Sequence, residues 1–289
     1  MKQPAFKARE IGSLLKPESC TGRVVSVYAG AVNILLPQGL LLSIVERCRQ
    51  MSALAIRVPC SRDWAKLLRP GLSVYSREEV LRIGPVTIEM AGAEAWSGIL
   101  TLPPAGGIDA GKTGLFRQAL CREGKGGGLL GLYRAFPLGK ENIYADLAER
   151  ELTQVASVGC RPARLCGLSP LIGLGIGFTP SGDDFIAGVL LAERILSFSR
   201  PNTLIINSEE IGQALGRTNA GGRTLLWQCL RGRFPAYLLD LALGFWRASS
   251  SAGIGTAVTA AAGHGETSGS DACAGLLWLL ESYLSMRLT

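Results

Sequence analysis

Residues 23–45 read RVVSVYAGAVNILLPQGLLLSIV, and this stretch decides the fold of the front half. Three apolar runs, Arg23–Tyr28, Ala31–Leu36 and Leu40–Val45, are rich in Val, Ile and Leu and are cut by Gly30 and by Pro37-Gln38-Gly39. Runs this short, bounded by turn residues, are strands rather than helices. The pattern continues at Leu54–Val58, Leu72–Ser76, Val80–Ile83 and Pro85–Met90. Closely spaced strands with no helical period between them predict a β-sandwich or small barrel, not a parallel βαβ sheet.

Working outward, residues 106–139 are Gly-rich around Gly126-Gly127-Gly128 and read as a connector or an active-site loop. From residue 140 the apolar period becomes helical. Helices are expected at Asn142–Val158 and at 184–197, 208–216, 221–232, 235–247, 253–262 and 271–286. The fold class is therefore α+β: a β-rich domain over 1–139 with its connector, then a mainly α-helical domain over 140–289.

The composition narrows the function. Of 289 residues, 47% are hydrophobic and 18% charged, which excludes a disordered chain. No apolar run approaches the length of a membrane span. The N-terminal segment, with Lys2, Lys7, Arg9, Glu10 and Lys16, has no apolar core of a secretory signal. A cytoplasmic protein is expected. Its eight cysteines form no C-x-x-C pair and read as reduced, buried thiols rather than disulfides or zinc ligands. A single histidine, His264, removes most metal and triad chemistries. The net charge of +7 comes mostly from scattered arginines, which suit a small anionic ligand or acidic partner better than nucleic acid.

Two segments carry the chemistry. Gly173-Leu-Gly-Ile-Gly-Phe-Thr-Pro-Ser-Gly-Asp-Asp184 precedes one helix, and Gly265-Glu-Thr-Ser-Gly-Ser-Asp271 precedes another. Ser181, Gly182, Asp184, Ala187 and Gly188 align with Ser268, Gly269, Asp271, Ala274 and Gly275, a local internal repeat. Capping alone explains Ser and Asp, since Ser-x-x-acid satisfies free backbone groups at a helix start. It does not explain Gly inside the first turn, which weakens a helix. Two helix N-termini facing each other hold an anion, because both present positive ends and free N–H groups. On this reading the N–H groups of Gly182 and Gly269 cradle the anion, and the turns share one face of a pocket. Asp183 is surplus to capping and is read as a free carboxylate for proton transfer or for Mg²⁺.

The run G-x-G-x-G-F-T-P-S-G-D-D-F-I-A-G at 173–188, with T-S-G-S-D-A-C-A-G at 267–275, resembles the bacterial domain-of-unknown-function family numbered 2877. Its members have been called carboxylases, and one branch is a subunit of the oxamate carbamoyltransferase of allantoin breakdown. The resemblance spans the chain from about Gly22 onward and is specific only at the two turns. It departs at Gly222, where the family commonly has Ser, and in the spacing of His264 from Thr267-Ser268. It implies a heteromeric enzyme that handles carbamoyl phosphate.

The site residues that follow from the turns and the resemblance are Asp183, Asp184 and Asp271 as catalytic carboxylates. Gly175, Gly177, Thr179, Ser181, Gly182, Thr218, Asn219, Arg223, His264, Thr267, Ser268 and Gly269 would bind substrate, with Arg217 an alternative to Arg223 for clamping a carboxylate. No metal ligand set and no required cofactor is assigned, Mg²⁺ being compatible. Partners are a small anion and other enzyme subunits, with no nucleic acid and no membrane.

Two rival motifs stand beside this. Gly106–Thr113 fits G-x-x-x-x-G-K-[ST], yet Pro103-Pro104 separate it from the preceding apolar run, against a phosphate loop opening directly from a strand. Gly182–Gly188 is similar to the G-D-x-F-x-A-G ending of ribokinase-like sugar kinases, without their βαβ half. An ATP-dependent phosphotransferase or carboxylase and a non-catalytic scaffold subunit remain the alternatives.

Overall fold

The computed structural model describes residues 4–16, 20–47, 49–59, 63–104, 106–133, 142–157, 167–199 and 206–285. Two compact units emerge: Met1–Ile99 with Arg233–Ala236, and Leu100–Gly232 with Tyr237–Thr289.

The first unit is a sheet whose described strands are β1 Ala5–Lys7, β2 Glu10–Gly12, β3 Thr21–Tyr28, β4 Ala31–Leu35 and β5 Leu41–Val45. It continues with β6 Ala55–Arg57, β7 Ser73–Arg77, β8 Val80–Ile83, β9 Val86–Glu89 and β10 Glu94–Trp96. Their order is β1-β9-β8-β7-β3-β4-β5-β6-β2-β10. Seven strands thus lie between β1 and β2, a width of about 38 Å if flat, at about 4.8 Å per strand. Yet Lys7 and Glu10 are three residues apart, a reach of about 11 Å at most. The sheet must therefore curl until its ends approach, the barrel form of the expectation. Ala8 N donates to Glu89 O (2.7 Å) and Arg9 N to Arg57 O (2.8 Å), so consecutive residues bond to opposite ends of the sheet.

Alternation places the core. On β8 and β9, Leu81, Ile83, Val86 and Ile88 are buried while Arg82 and Glu89 are exposed. Asn33, buried on β4, accepts from Ser43 on β5 (2.8 Å) and donates to Ser26 on β3 (2.9 Å), so its amide is satisfied across three strands.

The second unit is helical among its described residues: α1 Ala110–Glu123, α2 Ile143–Ser157, α3 Ser181–Ser199, α4 Ser208–Ala214, α5 Ala220–Cys229, α6 Ala236–Arg247, α7 Ser251–Ala262 and α8 Ser268–Ser285. Helix α3 is buried on nearly every side, as its unbroken apolar run Phe185–Ala192 demands. It packs against α8 and α5, and α1 packs against α7 and α8.

Helix α1 corrects the reading of 106–139 as a connector or an active-site loop over Ala110–Glu123. Two glycines and a charged residue in its first turns hide the start, but Thr113, Phe116 and Leu120 make a buried stripe. Residues 134–141 of that segment lie outside the described residues. Cys20, Cys121, Cys229 and Cys273 are free thiols, three of them buried; the other four cysteines lie outside the described residues. No described helix is long and apolar enough to cross a membrane.

Candidate functional site

The internal repeat is the signature of a nearly two-fold helix pair. A Cβ on Gly188 would overlap the Ala272 carbonyl oxygen and stand 2.7 Å from its carbon. A Cβ on Gly275 would overlap the Phe185 carbonyl oxygen and stand 2.7 Å from its carbon. Gly188 aligns with Gly275, and Phe185 with Ala272, so the two contacts are the same contact seen from each helix. The Ala-Gly of each copy lets α3 and α8 cross backbone to backbone.

At the N-terminal ends the side chains also cross over. Thr179 Oγ1 donates to Asp184 Oδ2 (2.8 Å) and lies 3.1 Å from Ser268 Oγ of the other turn. With the Thr179 proton given to Asp184, Ser268 is the donor to Thr179. The Ser268 hydroxyl faces Asp184, and the Ser181 hydroxyl, with that of Thr267, faces Asp271. Each turn thus presents its serine to the other turn's aspartate, and the two Ser-Gly-x-Asp turns form one centre. Ser181, Asp184 and Asp271 are buried, while Thr179, Thr267 and Ser268 are half-buried above them.

Burial dominates the electrostatics. It pushes the Asp184 carboxyl well above the usual carboxylate range; Thr179 and Ser268 oppose this, and the nearby Asp271 and Asp183 charges add to it. It pushes Asp271 up to about 6 against the hydroxyls of Ser181 and Thr267 and the N–H groups of Leu129 and Leu130. Asp184 Oδ1 and Asp271 Oδ2 are buried and receive no well-formed hydrogen bond. The Ser181 and Thr267 hydroxyls stand near the Asp271 carboxylate without closing one on Oδ2.

Several expected roles change. The Gly182 N–H donates to Leu174 O (2.8 Å) and the Gly269 N–H to His264 O (3.1 Å), so neither is free for an anion. These glycines serve packing: a Cβ on Gly182 would stand 2.9 Å from the Leu171 carbonyl carbon, and one on Gly269 2.6 Å from that of Ala261. Valine at 182 would thus break the fold before it blocked a ligand. Asp183 is not a free carboxylate. Its Oδ1 accepts from Gly173 N (2.9 Å) and its Oδ2 from Thr218 Oγ1, which pins the loop before α3 and the start of α5 to α3. Burial raises its pKa against those two bonds.

Thr218 is therefore the partner of Asp183. Asn219 caps α5, accepting from Gly222 N (3.0 Å) and donating to Gly177 O (3.1 Å). A Cβ on Gly222 would overlap Asp183 Oδ2, so glycine there follows from where that carboxylate sits. Gly175 (φ 108°) and Gly177 (φ 110°) have backbone that L side chains rarely adopt, and they turn the loop back toward Ser181. Arg223 donates to Leu215 O (3.1 Å) and Thr218 O (3.2 Å), and the exposed Arg217 donates to Ser169 O (3.1 Å), bonds that use only part of each guanidinium's donors. The His264 ring stacks on Tyr237 with centroids 3.9 Å apart, and burial with the Lys125 charge lowers its pKa.

The segment around Gly126–Gly128, read from the sequence as a connector or an active-site loop, closes the centre from the other side. Leu129 N donates to Asp271 Oδ1 (2.6 Å) and Lys125 N to Ser270 Oγ (2.8 Å). A Cβ on Gly128 would overlap both Asp271 oxygens, which explains the last residue of the Gly126–Gly128 run. Three adjacent glycines were the available signal. Tyr237, buried within electrostatic reach of Asp184 and Asp271, carried none.

The Gly106–Thr113 motif does not make a phosphate loop. Asp109 caps α1, accepting from Lys112 N (2.8 Å). The Lys112 ammonium donates to Trp246 O (2.7 Å) and Gly107 O (3.2 Å), closing the C-terminal end of α6. No strand among the described residues runs into the loop.

Residues 171–280, which hold both turns, match the family model described as oxamate carbamoyltransferase subunit AllH. Residues 5–95, the curled sheet, match the AllH family N-terminal domain. No curated protein and no solved structure matches the chain.

Proposed function

We propose that this chain, AllH-like in its sheet and in its helices, is a subunit of a carbamoyltransferase-type enzyme that binds a small anion such as carbamoyl phosphate at the crossed turns. The observation that carries the reading is the match of residues 171–280, because the family-matched segment contains all four hydroxyls and both orphaned carboxylates of the centre. In the transfer to oxamate, the acceptor amide nitrogen attacks the carbamoyl carbon, the bond to the phosphate oxygen breaks, and the amide gives up a proton. The half-buried hydroxyls of Thr179, Thr267 and Ser268, turned away from their present partners, donate to phosphate oxygens. Asp271, pushed up to about 6 by burial, takes the amide proton, and Asp184, pushed by burial well above the usual carboxylate range, is the donor to the leaving phosphate. Arg217 or Arg223, each with N–H donors beyond those bonded to carbonyls, clamps the acceptor's carboxylate. Purine or allantoin catabolism is the setting that this chemistry fits.

A non-catalytic subunit is favoured by one observation: Asp183 spends both its oxygens on the fold. Co-purification with the partner chains, followed by an assay of carbamoyl transfer to oxamate, separates the two. The enzymatic reading expects Asp184→Asn in the assembled complex to lose about 100-fold or more in rate. An assembled complex turning over normally with that variant would leave only the scaffold role.

A further inference from the structure

The two orphaned oxygens are the least explained feature of the molecule. Asp184 is 1% exposed and Asp271 0%, yet Asp184 Oδ1 and Asp271 Oδ2 have no hydrogen-bond partner. A buried carboxylate oxygen left unpaired is costly, and native proteins keep few of them. Here there are two, at matched positions of a repeat, in carboxylates close enough to repel each other.

No described side-chain cation answers them. The salt bridges among the described residues involve neither aspartate. Lys125, which caps the same region, donates its ammonium to Gly265 O (2.9 Å). The positive ends of α3 and α8 offset about half a unit charge each, against two carboxylates. With both carboxylates ionised the centre is thus short of about one positive charge; a bound cation would supply it in place of a proton on Asp184, so the proton-transfer roles proposed above would belong to the metal-free centre alone.

We propose that Asp184 Oδ1 and Asp271 Oδ2 together bind one hard divalent metal cation of the Mg²⁺ class, with the hydroxyls of Ser181 and Ser268 beside it. The donors choose the metal. Both carboxylates and every neighbouring hydroxyl are oxygen ligands, which suit Mg²⁺ or Mn²⁺. The described residues hold no group of three or more His, Cys, Asp or Glu arranged as a metal cage. Mg²⁺ needs none: it is commonly held by one or two carboxylates and keeps several waters. Each helix contributes one ligand, so the metal would also brace the α3–α8 crossing at its N-terminal end.

The probe is Mn²⁺ alone, added to the chelator-treated full chain, with bound metal read by electron paramagnetic resonance. One site per chain is expected. Asp184→Asn should weaken it by about tenfold or more, while Asp146→Asn, an exposed acid on α2, should leave it unchanged. Crystals of the unaltered protein soaked in Mn²⁺ should show an anomalous peak between the two carboxylates, a readout that survives if the variant fails to fold. No bound Mn²⁺ at millimolar concentration, undiminished binding in Asp184→Asn, or a peak only elsewhere would each overturn the proposal. Because the probe is metal without substrate, such a failure leaves the carbamoyltransferase reading standing.

Discussion

Replacing Gly188 by alanine tests the helix crossing with the smallest possible change. The added Cβ would stand 2.7 Å from the Ala272 carbonyl carbon and 2.9 Å from Leu276 N, where ordinary contact begins at 3.4 Å. These obstacles are backbone, so no side chain can swing aside, and the overlapped Ala272 carbonyl oxygen requires α3 and α8 to part by more than about 1 Å at that point. Overpacking of this kind costs about 1–3 kcal/mol, and rigid backbone on both sides places it toward the upper end. Alanine returns about 1 kcal/mol of helix propensity. The net expectation is a loss of about 1–2 kcal/mol, read as a lower urea midpoint with unchanged slope. Gly275→Ala should cost the same, because its Cβ would meet Phe185 in the matching way. The double variant should cost clearly less than the sum, since one separation relieves both clashes. A Gly188→Ala variant that gains stability, or a double variant that is strictly additive, would refute the two-fold crossing.

Three further outcomes are expected. Asp271 has a folded pKa of about 6, above its unfolded value of about 3.9, so its contribution is fully present below the unfolded pKa and is lost as pH rises through 6; the full span is about 3 kcal/mol. Urea midpoints at pH 5 and pH 8 should differ in that direction, Asp184 pushing the same way, and Asp271→Asn should flatten the difference; a midpoint that rises with pH contradicts it. Lys112→Met should lower stability by about 1 kcal/mol through its lost bonds to Trp246 O and Gly107 O, and should change no ATP affinity measured by calorimetry. Glu78 (φ 53°) and Glu79 (φ 60°) form the two-residue turn between β7 and β8 in left-handed backbone, so Asn-Gly there should raise the melting temperature, stabilising by about 1 kcal/mol.

The front sheet was legible because its strands alternate or run apolar between Gly and Pro; all seven expected strands from Arg23 to Met90 are present within a residue or two. The three missed strands, β1, β2 and β10, are three residues each, and their register depends on residues far along the chain: Ala5 on Thr87, Glu10 on Arg57, Glu94 on Glu10. No local pattern encodes such pairs. The repeat was legible as a repeat, and its Ser, Asp and Ala-Gly do share a geometric task. What the glycines at 182 and 269 approach was not legible. A glycine in a first turn reports that something comes close, and here it is the carbonyls of Leu171 and Ala261 rather than a ligand. Asp183 looked free because its partner, Thr218, is 35 residues away. The orphaned oxygens of Asp184 and Asp271 exist only in three dimensions.

The central claim is that the crossed turns are a binding site and not two capped helices that happen to touch. Calorimetric titration of carbamoyl phosphate into the co-purified complex addresses it directly. The account expects a saturable site whose affinity falls about tenfold or more in Ser268→Ala, the loss of one hydrogen bond to a charged ligand being worth about 1.5–3 kcal/mol. Binding of equal strength in Ser268→Ala and Thr179→Val, with both variants folded, would place the anion elsewhere and reduce the turns to a helix-packing device.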